Sequence, residues 1–151
     1  GEAALHLLRY TASAQRTSLR TVDELADQYL EAVEKFGSGT DSSTSCLALS
    51  EAKLRAYLAC KPRAKASLKK ADRELEQCLS ETPSHESEES RVFQYISQTG
   101  ALRSVIFLNT YGQLLKARGD AIRAEKIRAE TESRAKQAGL AHQLMRIRAG
   151  R

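Results

Sequence analysis

The sequence has no tryptophan, only five tyrosines and three phenylalanines, two prolines and eight glycines in 151 residues. So few turn formers and large rings exclude a sandwich or barrel of many short strands, and no segment keeps an alternating apolar period for more than a few residues. Cysteine is scarce too. Cys46, Cys60 and Cys78 are odd in number, and no C-x-x-C pair occurs. That excludes a disulfide framework or a zinc site and fits buried, reduced thiols in an intracellular protein, in the cytoplasm or nucleus. Long hydrophobic runs are also missing. The least charged stretch, Val92 to Leu115, is interrupted by Arg103 and carries Gln94, Gln98, Asn109 and Gln113, too polar to span a membrane. No signal peptide or initiator methionine is present, so the chain is expected to be part of a longer protein, with Gly1 a cloning remnant.

What remains suits helices. Apolar residues make up 41% of the chain, and alanine alone supplies 22 of them. The core is therefore lean and depends on close helix approach. Leu5, Leu8 and Ala12 predict a first helix over residues 2–17. Thr21 and Glu24 fit a capping box ahead of a second helix with Val22, Leu25, Ala26, Tyr29, Val33 and Phe36 on one face, ending at Gly37. A third runs from about Thr44 to Cys60. Pro62 then predicts either a hairpin or a kink, the hairpin being the simpler. The next helix puts Ala64, Leu68, Ala71, Leu75 and Cys78 inward, with Lys70 and Glu74 spaced for an i,i+4 pair outside. Residues 80–90 read as an acidic loop holding Thr82-Pro83, a candidate proline-directed phosphorylation site. From Arg91 one long helix, apolar all round, is expected to reach Gly119-Asp120. Ala121 to Ala138 follows with a small inward stripe of Ala124, Ile127, Thr131, Ala135 and Ala138. Past Gly139 comes a short helix with Leu140, Leu144 and Ile147 on one side.

Charge divides the chain unevenly. Residues 1–90 hold 12 basic and 15 acidic side chains, whereas residues 91–151 hold 12 basic and 4 acidic, a net of +8. Such a surface attracts acidic partners or phosphates. Base stacking, however, needs aromatics among the cations, and residues 116–151 contain no Phe, Tyr or Trp.

Leu108, Tyr111, Gly112, Leu115, Gly119, Asp120 and Ala124 are spaced as in a tetratricopeptide repeat, which this stretch resembles. Gly112 and Ala124 would be the small residues that let the two helices of a hairpin touch. The pattern departs where that family usually has a large aromatic in its second helix, here Arg128, and at Thr131 and Lys136. The resemblance implies an all-α fold of antiparallel helical hairpins stacked as a short solenoid of about seven helices, one domain over 1–151. It also implies a scaffold or adaptor that grips a partner peptide or helix in a groove. The positions at which some members clamp a terminal carboxylate fall at Ile106, Asn109, Gln113 and Lys116, a poor match.

No catalytic constellation appears. His6, His85 and His142 lie far apart, no nucleophile elbow, metalloprotease helix or phosphate loop occurs, and Glu125, Glu130 and Glu132 read as salt-bridge partners of neighbouring arginines. The expectation is thus a non-catalytic interaction module without cofactor or metal. Its partner-binding candidates are Asn109, Gln113, Lys116, Arg123, Lys126 and Arg128, with an acidic protein segment as partner. The competing reading is a nucleic-acid-contacting subunit that uses the basic C-terminal helices.

Overall fold

A computed structural model describes residues 19–36, 42–60 and 65–151. Every regular element among them is a helix: α1 (Leu19–Phe36), α2 (Ser42–Ala59), α3 (Lys65–Cys78), α4 (Glu88–Ile96), α5 (Ala101–Ala117), α6 (Ala121–Gln137) and α7 (Ala141–Arg148). They gather into two compact units, one ending at Cys78 and one running from Leu79 to Arg151. The all-α expectation therefore holds. The helix expected over residues 2–17, the connection at Gly37 to Gly39 and the turn at Pro62 lie outside the described residues.

In the first unit α2 and α3 form an antiparallel hairpin and not a kinked rod. Lys53 of α2 meets Glu74 of α3 at 3.0 Å, while Lys70, one turn earlier in α3, lies 5.7 Å from the ring centre of Tyr57, one turn later in α2. Leu54, Ala56, Ala71 and Leu75 are fully buried, so the alanines do allow close approach. Cys60 and Cys78 are buried and unbridged; the side chain of Cys46 lies outside the described set.

Asp23 of α1 ties the three helices together. Its carboxylate accepts from the Tyr57 hydroxyl at 2.6 Å and from the Lys70 ammonium at 2.8 Å. Burial opposes the Asp23 charge, but these two donors outweigh it and hold the carboxyl below its ordinary 3.8. Two local expectations are corrected here. Lys70 and Glu74 do not pair with each other on the outside, because both face neighbouring helices and are taken by Asp23 and Lys53. Nor does Thr21 start a helix. α1 already begins at Leu19, and Glu24 pairs with Arg20 at 2.9 Å.

The second unit opens with a loop, and α4 starts where the Ser87 hydroxyl accepts from the Ser90 amide at 3.2 Å. Glu88 and Glu89 sit in its first turn, where the helix dipole favours negative charge. The single long helix expected from Arg91 is two helices, broken at residues 97–100. Hydroxyls compete with the helical ladder there. Ser97 donates to the Gln94 carbonyl at 2.6 Å, Thr99 to that of Ile96 at 2.9 Å and Ser104 to that of Ile96 at 3.1 Å, and Gly100 precedes α5. The break divides the apolar residues between α4 and α5, and each buries one face.

Glu88 has the role that Asp23 has in the first unit. It accepts from the Tyr111 hydroxyl at 2.9 Å and from the Arg118 guanidinium at 2.6 Å. Burial pushes its carboxyl up, yet Arg118 and Tyr111 bring the net value below its ordinary 4.5.

Helices α5 and α6 end alike. Past α5 the Gly119 amide donates to the Lys116 carbonyl at 3.0 Å and the Asp120 amide to the Leu115 carbonyl at 3.0 Å. Past α6, Gly139 and Leu140 do the same toward Lys136 and Ala135. Both glycines have positive φ, 89° and 69°, as this cap requires. The turns share the pattern Lys-x-x-Gly-x-Ala, Lys116 to Ala121 and Lys136 to Ala141. Leu140 and Leu144 pack on Val105, Ala135 and Ile147, which holds α7 against α5 and α6. Among the described residues no helix is long and apolar enough to cross a membrane.

Because both clamp carboxyls ionise more readily folded than unfolded, their stabilisation is complete only above about pH 5 and is lost as pH falls through the depressed folded-state values. Asp23→Asn is expected to lower stability at pH 7 by about 1–2 kcal/mol. It should also flatten the acid limb of urea midpoints measured from pH 7 to pH 3; an unchanged limb would remove Asp23 from that role.

A candidate partner-binding groove in the second unit

Asn109, Gly112, Gln113 and Lys116 recur at intervals of three, four and seven residues, so they form one stripe along α5. Ala121, Ala124, Glu125 and Arg128 do the same on α6. The two stripes border a groove of about 280 Å³, closed at one end by Ile147 and Gly150 from the end of α7. Its floor is apolar, since Leu108, Ala124 and Ile147 are buried beneath it. Small side chains keep it open: Gly112, Ala121 and Ala124 leave unfilled the width that larger residues would occupy.

Gly112 is looser than the sequence suggests. A methyl group there would meet Ile127 Cγ2 at 3.5 Å and the Ala124 carbonyl oxygen at 3.9 Å, ordinary contact distances, so the crossing does not demand glycine. A longer side chain would project into the groove.

Four of the six candidate residues line this groove: Asn109, Gln113, Lys116 and Arg128. The Asn109 amide donates to the Arg151 carbonyl at 3.0 Å. Lys116 is exposed and makes no ion pair among the described residues. Arg128 is held sideways by a bidentate pair with Glu125, at 2.6 and 2.9 Å, and a third bond to Glu132 at 2.7 Å. Its guanidinium holds both carboxyls below the usual carboxylate range, with Arg148 adding to the effect on Glu132.

Arg123 and Lys126 lie elsewhere. They reach Glu89 at the start of α4, at 3.8 and 3.0 Å. A helix advances 100° per residue, so Arg128 cannot share their face. They brace α6 against α4.

The expected pairing of the α6 acids does occur. Glu125 and Glu132 bind Arg128, Glu130 binds Arg134 at 2.9 Å, and Glu132 also receives Arg148 at 3.1 Å. Groove residues that the sequence did not single out are Glu125, which read only as a surface acid, and Ile147 and Gly150, which read as part of a terminal helix. Their one signal is the Leu140, Leu144, Ile147 spacing, which predicts an inward face without naming what it covers.

A second hollow, of about 410 Å³, lies between the α4–α5 break and the end of α6. Four of its polar side chains are already engaged: Ser97, Thr99 and Ser104 bind backbone carbonyls, and Arg134 binds Glu130 while lying 5.4 Å from the Phe93 ring centre. Among the described residues no group of three His, Cys, Asp or Glu side chains is arranged to hold a metal ion. No protein-family model, curated protein or solved structure matches this chain.

Gly112→Ala and Gly119→Ala should act in opposite directions. In mid-helix with room for a methyl, Gly112→Ala is expected to raise stability by about 0.5–1 kcal/mol. At φ 89°, Gly119→Ala is expected to lower it by about 1–2 kcal/mol although nothing lies within 4 Å. Thermal melts of the two variants check the pair.

Proposed function

We propose that this chain is a protein-interaction module, a scaffold or adaptor without chemistry of its own, whose α5–α6–α7 groove takes an acidic segment of a partner protein. The observation that carries the reading is the combination of an apolar floor with an unpaired cation, Lys116, on the rim. A peptide can bury an aliphatic side chain over Gly112, bond its backbone to the Gln113 amide and set a carboxylate beside Lys116. The tetratricopeptide resemblance around Leu108 to Ala124 points to the same class of function. An all-α fold agrees with it.

The ion pairs weigh against the nucleic-acid alternative. Of the basic side chains from Lys116 onward, Arg118, Arg123, Lys126, Arg128, Arg134, Lys136 and Arg148 each already face a carboxylate. Phosphates would have to displace those partners. Reversing Arg123, Lys126 and Arg128 together would mix binding with the bracing of α6, so Lys116 and Gly112 are the cleaner probes.

A random-peptide display library panned on the chain should return sequences with an aliphatic residue next to Asp or Glu. Lys116→Glu should weaken the selected peptides about fivefold, and Gly112→Leu, which fills the groove, by tenfold or more, about 1.4 kcal/mol. Peptides without acidic residues, or affinities unmoved by Gly112→Leu, would overturn the reading. Tight binding of generic RNA with a steep salt slope would replace it with the nucleic-acid one.

A further inference from the structure

The loop that opens the second unit carries the Thr82-Pro83 dipeptide, and the groove has no use for it. Glu81, Pro83, Ser84 and His85 are exposed, so the segment around Thr82 presents itself at the surface. Thr82 itself is half-buried. Its hydroxyl donates to the Leu79 carbonyl at 2.6 Å and accepts from Arg91 Nε at 2.9 Å. The same guanidinium donates through Nη2 to the Leu79 carbonyl at 2.9 Å, and the Thr82 amide donates to that carbonyl at 3.0 Å. Arg91 is only 8% exposed. A planar cation is thus already fixed, in partly desolvated surroundings, with one N–H on the oxygen that a kinase would modify.

We infer that Thr82 is a proline-directed phosphorylation site and that Arg91 is its built-in phosphate receiver. In the modification the Thr82 Oγ attacks the γ-phosphorus of ATP. The new O–P bond forms as the bond from that phosphorus to the bridging oxygen breaks, ADP leaves, and the hydroxyl proton passes to the base of the kinase. The kinase and its ATP are the co-reactants. The chain gives up one hydrogen bond, from the Thr82 hydroxyl to Leu79, whose carbonyl keeps its other two donors. It gains a dianion beside Arg91, able to form charge-assisted bonds to the guanidinium.

Neighbouring acids do not cancel this gain. Glu88 is matched by Arg118, Glu89 by Arg123 and Lys126, and the Glu86 carboxylate accepts from the Ser90 hydroxyl and the Gln94 amide. Glu86, whose two donors are neutral, and Glu81, which is exposed, are the remaining like charges on the loop, screened by solvent and salt. Phosphorylation therefore pins the loop to α4 and stiffens the point at which the chain enters the second unit. Ser80, Ser84, Ser87 and Ser90 supply hydroxyls nearby, but none precedes a proline.

The test uses the intact chain, a purified proline-directed kinase and Mg·ATP. Mass mapping should find one phosphate on Thr82, absent from Thr82→Val. In a ³¹P titration the folded phosphoprotein should lose its second phosphate proton at a lower pH than the same phosphoprotein in urea, whose value lies near about 6. In folded Arg91→Gln the difference should vanish. Should that variant not fold, the comparison of folded with urea-unfolded wild type still decides. Phosphate confined to the loop serines, no incorporation at all, or a Thr82 phosphate that titrates alike folded and unfolded would each overturn the proposal.

Discussion

Each compact unit is held by the same interaction, a carboxylate that accepts at once from a tyrosine hydroxyl and a cation. Asp23 binds Tyr57 and Lys70, and Glu88 binds Tyr111 and Arg118. A lean, alanine-rich core buries little apolar area per helix, so packing alone fixes the helix register weakly. A charge-assisted bond has a sharp distance requirement and supplies the missing definition. The tyrosine rings serve two ends, filling space inside and pointing the hydroxyl at the rim. Burial and the adjacent carboxylate push both tyrosine hydroxyls well above their ordinary value, so the clamps keep their protons past the pH at which an exposed tyrosine ionises.

In the second unit the positive-φ turn at Gly119 sends α6 back along α5, and the equivalent turn at Gly139 sends α7 back along α6. The groove is the by-product of those reversals and of three small residues between them. Formal charge is a poor guide to this surface. Seven of the twelve cations over residues 91–151, Arg118, Arg123, Lys126, Arg128, Arg134, Lys136 and Arg148, face a carboxylate, and among the described residues that line the groove Lys116 is the cation that pairs with none.

Periodicity made the buried faces legible. The stripe Ala124, Ile127, Thr131 and Ala135 is buried as expected, and only Ala138, at the end of α6, is exposed. Period says which side of a helix turns inward but not which neighbour it meets. That is why Lys70 and Glu74 read as a local pair when each is claimed by another helix. The break at residues 97–100 was hidden for a related reason: apolar residues continue on both sides of it, whereas the signal for stopping lies in three hydroxyls and a glycine whose effect depends on side-chain bonds to the backbone. Of the site, the α5 residues were legible from the repeat-like spacing around Gly112. The contribution of α7 was not, because it needs a contact between Ile147 and a helix more than thirty residues earlier.

The pairing of tyrosine with carboxylate also sets how the molecule can be watched. With no tryptophan in the sequence, intrinsic emission comes from tyrosine alone, and among the described residues Tyr57 and Tyr111 donate their hydroxyls to carboxylates in the folded state. A ring bonded in that way gives up its excited-state proton to the acceptor and emits weakly. Opening either clamp therefore brightens the chain, with Tyr57 reporting on the first unit and Tyr111 on the second. The interactions that hold the helices in register are at the same time two native optical probes, separable by a single Tyr→Phe substitution.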